Sequence, residues 1–236
     1  MAAAIARGWG GAGDRMLFFD ADADKARKLA GELEGEVAGS NAELAERADV
    51  VVLAVKPGAL EEAAGELAGA RAVISILGAT SLEMVEASFR EAEVGRIMPN
   101  LAVEVGAGVL CITGSFSAEV RERLDTLGAV VELPDSQFDL ATALMGCSPA
   151  YFALVAEALV EAGVEAGLGE ELVEKLVVGA AAGTGALMQV RRPAELRVSV
   201  TSPGGSTEAG LDALEREGAR EAFGAAVRAS LERMRG

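Results

Sequence analysis

The stretch 49-DVVVLAVKPG-58 decides how the rest of the chain is read. Six apolar residues follow Asp49 without a break. A strand wetted on one face alternates, whereas a run this continuous is the mark of a parallel strand covered on both faces. Lys56-Pro57-Gly58 ends it, because proline has no N–H for the ladder and glycine favours a turn.

The pattern repeats on both sides of that strand. Upstream, 16-MLFF-19 reads as a strand and 23–33 as an amphipathic helix with Ala26, Leu29, Ala30 and Leu33 on one face. A short helix, 41-NAELAERA-48, follows, with Asn41 as its N-cap. Residues 1–9 also read as helix, and 8-GWGGAG-13 as the loop after it. Downstream come a helix at 60–69, a strand at 72–76, a helix at 81–89 and strands at 95–98 and 108–113. A helix at 118–127 and a strand at 129–133 complete the series. Strand alternating with helix predicts an α/β fold, a doubly wound parallel sheet.

After Pro134 the strand signals stop. Helices are predicted at 149–167, with Pro149 in the first turn, and at 170–189, 193–200, 206–217 and 219–234. The second of these is rich in Ala and Gly, a composition that lets helices pack closely, often against another chain. The chain therefore divides into an α/β domain, 1–143, and an all-helical domain, 144–236.

Charge and composition exclude several functions. A formal net charge of −16 repels nucleic acid and anionic membranes. The absence of histidine rules out His-based catalysis and His-ligated metal, so no metal site is expected. Two distant cysteines make no disulfide framework, and Cys147 reads as a small core residue. The apolar start MAAAIA is too short for a signal, and the run 176-LVVGAAAGTGALM-188 is too short and glycine-rich to span a membrane. A cytoplasmic protein acting on a small molecule or a protein partner is the expectation.

Four places offer chemistry. Ala54, Val55, Lys56 and Pro57 lie beyond a strand's carboxyl end, where open α/β sheets bind ligands; an ordinary strand exit with a solvated lysine reads the same way. Asn100, at the end of 96-RIMPN-100, offers an amide, or simply belongs to a turn fixed by Pro99. Asp20 ends the first strand, where an acid can bond ribose hydroxyls or merely start a helix. The loop of Ser202, Pro203, Gly204, Gly205, Ser206 and Thr207 supplies hydroxyls and backbone N–H groups, with Ser206 capping a helix. It suits an anion, and equally a capped helix–helix turn.

Taken in order, AIARGW (4–9), ADVVVLAVKP (48–57), RIMPN, SPAYF (148–152), PAELR (193–197) and VTSPGGSTEAGLDALE (200–215) resemble the pyrroline-5-carboxylate reductase family. The resemblance implies a Rossmann-like domain binding NADPH or NADH, and a helical domain forming a homodimer. Assembly into a ring of dimers stays open. It implies reduction of L-1-pyrroline-5-carboxylate to L-proline. Ala54 to Pro57 would line the cofactor, together with Asn41 and the strand end that includes Ser75, Ile76 and Gly78. The loop from Ser202 to Thr207 would hold the substrate carboxylate, with Thr207 beside the ring nitrogen as the nearest thing to a catalytic side chain.

Departures from the family pattern qualify that picture. Met1 falls just after the position of the family's first strand and G-x-G-x-x-G turn. A start assigned too late is favoured over a trimmed chain or a variant with weakened cofactor binding. Leu101 and Ala102 alter the loop after Asn100, and Met145, Cys147 and Ser148 alter the segment before Pro149. Val190 and Val198 stand where acids are common. Asp20 disfavours a 2′-phosphate and leans toward NADH. Two rivals follow: a reductase of another cyclic imine, and a catalytically impaired dimeric homologue.

Overall fold

The computed structural model describes residues 1–10 and 13–235. They form two compact units, 1–149 with 231–236 and 150–230, the described part of each being taken separately below.

The first unit opens with helix α1 (Ala2–Trp9) and a two-stranded parallel sheet, β1 (Leu17–Phe18) and β2 (Glu36–Val37), joined by α2 (Ala23–Glu32). Helix α3 (Asn41–Arg47) leads into the larger sheet of β3 (Val51–Leu53), β4 (Ala72–Ser75), β5 (Glu93–Pro99), β6 (Gly108–Gly114) and β7 (Gly128–Glu132), hydrogen-bonded in that order. Helices α4 (Leu60–Glu66), α5 (Leu82–Ser88) and α6 (Ala118–Asp125) fill the connections. Of the loop expected at 8–13, Gly8 and Trp9 belong to α1, while Gly11 and Ala12 lie outside the described residues.

Strand pleating divides the core into two layers. Val51, Leu53 and Val73 pack with Leu60, Ala63, Leu67 and Val85 on one face. Ile74, Ile97, Leu110 and Ile112 pack with Ile5, Val120, Leu124 and Leu127 on the other. The register Val51↔Val73 and Val52↔Ile74 explains the unbroken apolar run, since both parities are covered. β2, with both residues exposed, carries no apolar signal and is absent from the sequence reading.

Two sequence expectations are corrected. β6 runs antiparallel to β5, not parallel. Only 100–107 join them, too short for the dozen or more residues a parallel crossover takes. β6 and β7 are parallel to each other, with α6 as their crossover. Asn41 is the first residue of α3, and its N-cap is Ser40, whose hydroxyl accepts from Glu43 N–H at 3.1 Å.

The segment from Asp135 onward is helical earlier than the sequence suggests. A 3-10 turn (Asp135–Gln137), α7 (Phe138–Ala141) and a π-helical turn (Thr142–Gly146) run straight into α8 (Ser148–Glu165). Within this 31-residue stretch an 18-residue window has a mean hydropathy of 1.6, long and apolar enough to cross a membrane on length and composition alone.

In the second unit α8 is followed by α9 (Glu170–Met188), α10 (Pro193–Ser199), α11 (Ser206–Arg216) and α12 (Ala219–Arg235). Gly218, at φ +74, makes the break between α11 and α12. Among its described residues the buried apolar side chains are Val173 and Leu196, while Phe152, Leu159, Leu172, Leu176 and Val178 are exposed.

Candidate active site

In the first unit β3, β4 and β5 run parallel, so their carboxyl ends share one edge. Ala54 and Lys56 are exposed there, Val55 packs back on the core, and Pro57 starts a 3-10 turn (Pro57–Ala59). Beyond β4, Ser75 is wholly buried and its Oγ accepts from Leu77 N–H at 3.3 Å. Ile76 N–H donates to Leu53 C=O at 3.1 Å, tying the two strand ends together. Gly78 is exposed, and its carbonyl accepts from the buried Thr80 hydroxyl at 3.2 Å.

Asp20 is exposed after β1, with Oδ1 accepting from Asp22 N–H at 2.8 Å in the turn into α2. Asn41 Nδ2 donates to Glu66 Oε2 at 2.6 Å, which binds α3 to α4. Exposed strand ends, an exposed acid and open space around Gly78 fit an extended dinucleotide laid along the edge.

Asn100 is the exception: it is 8% exposed and its amide is engaged at both ends. Oδ1 accepts from Val109 N–H at 3.1 Å and Nδ2 donates to Met145 C=O at 3.2 Å. Nearby on β5, Arg96 lies over the Phe138 ring at 4.4 Å and pairs with Asp135 at 2.5 Å. Asp135 Oδ2 also accepts from Leu82 N–H at 3.1 Å. Sequence reading missed Arg96, Asp135 and Met145. Cys111, opposite Met98 on β6, is buried, and burial pushes its thiol pKa up, which suits packing and not attack. Cys147 is half-buried, short of the core position expected.

In the second unit the candidate loop precedes α11. Ser202, Pro203, Gly204, Ser206 and Thr207 are exposed, and Gly205 is half-buried. Gly204 takes φ +73, a conformation glycine adopts without strain. A Cβ on Gly205 would lie 2.5 Å from Ser202 Oγ and 3.0 Å from the Ser202 carbonyl, so the turn closed by Gly205 N–H to Ser202 C=O leaves little room there. The N-cap of α11 is Gly205 and not Ser206, which is the first helical residue. Gly204 N–H donates to Glu208 Oε2 at 2.7 Å, so the loop holds a carboxylate of its own. The structure thus gathers Ala54 to Pro57, Ser75, Ile76, Gly78 and Asn100 at one edge, and 202–207 in one loop of the other unit.

Comparison with known proteins covers both units. Residues 135–236 match the family model described as pyrroline-5-carboxylate reductase dimerisation. Residues 1–78 match the one described as NADP oxidoreductase coenzyme F420-dependent. The pyrroline-5-carboxylate reductase of Synechocystis is 38% identical over 84% of this chain and 78% of its own length. A crystal structure of 1-pyrroline-5-carboxylate reductase from Streptococcus pyogenes superposes with a TM-score of 0.87 at 27% identity, covering 99% of this chain and 94% of that one. The Plasmodium falciparum pyrroline carboxylate reductase, solved with NADP bound, gives 0.85 at 27%, covering 98% and 92%. The dimerisation match takes in the apolar helical stretch from Asp135. An NADP-type cofactor domain joined to that dimerisation domain is this family's arrangement, and the chain belongs to the pyrroline-5-carboxylate reductase family.

Proposed function

We propose that the protein reduces L-1-pyrroline-5-carboxylate to L-proline with NADPH or NADH, as a cytoplasmic homodimer. What carries the reading is one chain holding both an open parallel-strand edge in a nicotinamide-cofactor domain and a hydroxyl- and N–H-rich loop at the head of α11. The functional division, 1–143 against 144–236, falls inside the π-turn.

Ala54, Val55, Lys56 and Pro57 flank the cofactor, with Ser75, Ile76, Gly78 and Asn100 on the neighbouring strand ends. Asp20 and Asn41 serve its adenosine side. Bound there, the dinucleotide supplies a hydride for the C=N carbon. A cyclic imine is basic enough to be largely protonated near neutral pH, so its carbon is already electrophilic. The protein's task is then placement more than acid catalysis, which suits a chain without histidine. The loop from Ser202 to Thr207 takes the substrate carboxylate on hydroxyls and backbone N–H groups. Thr207 Oγ1 bonds the ring nitrogen and holds its proton in place as the amine forms.

Supplying NADPH or NADH with the five-membered imine, and then with its six-membered analogue, tests this reading. Proline formed from the first is the expected result. Turnover of the analogue alone would favour the other-imine reading, which Val190 and Val198, both strongly exposed apolar residues, leave room for. Binding of neither cofactor would favour the impaired homologue.

A further inference from the structure

Proline lacks an N–H, so Pro149 leaves the carbonyl of Met145, four residues earlier, without its helical donor. The chain responds with the π-helical turn Thr142–Gly146, in which Cys147 N–H reaches back to Thr142 C=O at 3.1 Å. Two side chains take over the Met145 carbonyl: Ser148 Oγ at 3.2 Å and Asn100 Nδ2 at 3.2 Å. Asn100 comes from the edge where β5 ends beside the exits of β3 and β4. It is buried, and its other amide atom is spent on Val109 N–H. Pro149 is the last residue before the chain enters the unit that carries the 202–207 loop. π-turns concentrate at functional sites, and this one lies at the end of the first unit, next to the residues that close the cofactor edge.

We propose that Asn100 is a positioning residue: through the Met145 carbonyl it fixes the π-turn and hence the path by which the chain leaves the cofactor edge. This rests on the reductase reading above and assigns Asn100 a role inside it. Both hydrogen bonds its amide makes go to this chain's own backbone, so its effect falls on hydride transfer more than on cofactor affinity.

The test uses the full chain with Asn100→Asp, which keeps the acceptor for Val109 N–H and loses the donor to Met145. Asn100→Ser is measured alongside, so that poor folding of one leaves the other. We expect kcat to fall tenfold or more and the KM for NADPH to move less than threefold. The isotope effect with NADPH deuterated at the transferred position should rise. Pro149→Ala restores an N–H for Met145 C=O, so in that background the Asn100→Asp loss should shrink at least threefold. A tenfold rise in the KM for NADPH with an unchanged isotope effect would overturn the proposal in favour of direct contact. Equal losses in both backgrounds would overturn it as well. If the unsubstituted protein turns over no pyrroline-5-carboxylate, the reductase reading itself fails; if it turns over and the variants match it, only the role of Asn100 does.

Discussion

The α/β unit and the helical unit answer the same problem in opposite ways. The first buries two full layers of side chains against its own sheet. The second, with helices as apolar as any in the chain, buries Val173 and Leu196 among its described residues and leaves Phe152 67% and Leu176 55% exposed. Patches of this extent mark an interface, and a match to a dimerisation domain says what covers them. One unit folds on itself; the other carries the dimerisation domain and leaves its apolar faces open for a second copy.

The sharpest way to break that contrast is a charge on the bare face. Leu176→Asp should weaken the dimer more than a hundredfold, about 3 kcal/mol or more, because a carboxylate would be buried without a partner. Sedimentation velocity would show monomer or aggregate at concentrations where the parent protein is dimeric. The matching insult to the first unit is Asp135→Asn, which strands the buried Arg96 guanidinium. Breaking a fully buried pair costs about 3–5 kcal/mol; with Asp135 partly exposed the cost is about 2–3 kcal/mol, so thermal unfolding should fall by roughly 4–12 °C with the dimer intact.

Glycines sharpen the contrast because substitution acts on folding in one unit and on association in the other. A Cβ on Gly128, at φ +138, would lie 2.0 Å from the Gly108 carbonyl, so Gly128→Ala destabilises the α/β unit by about 2 kcal/mol or more. Gly183 in α9 meets nothing within 4 Å in the protomer. Alanine there would strengthen an isolated helix by about 1 kcal/mol. If α9 packs closely in the dimer, Gly183→Ala instead weakens association, which equilibrium sedimentation of the variant would register.

The smallest effect belongs to the surface. Arg47 pairs with Glu36 and Glu43; its hydrogen bond holds the Glu36 carboxyl below the usual range, while Gly39 N–H first, and Arg47 after it, lower that of Glu43. A lowered folded-state pKa means the contribution is present above the ordinary carboxylate value and is lost as pH falls through the folded one. Arg47→Met should therefore lower the melting temperature slightly at neutral pH, less in acid and hardly at all in high salt.

What the sequence disclosed follows from how local each signal is. β3, β4 and β5 were legible because each apolar run is covered on both faces, as 50–55 shows. The direction of β6 was not, since hydropathy carries no polarity along a strand; only the short link 100–107 encoded it. The 202–207 loop was legible because its hydroxyls, glycines and following helix are contiguous, although the cap fell on Gly205. Arg96 with Asp135, and Asn100 with Met145, lie 39 and 45 residues apart and leave no local trace. Pro149 did hold a clue, because a proline inside a helix orphans the carbonyl four residues before it.

The contrast between the two units rests most directly on the mass of the folded protein in solution. Equilibrium sedimentation at micromolar concentration should give about 48 kDa, two chains of 24.0 kDa, with far-ultraviolet dichroism showing the helices of the second unit intact. A stable, fully helical monomer of 24.0 kDa would contradict the account, because the exposed faces of α8 and α9 would then need no partner.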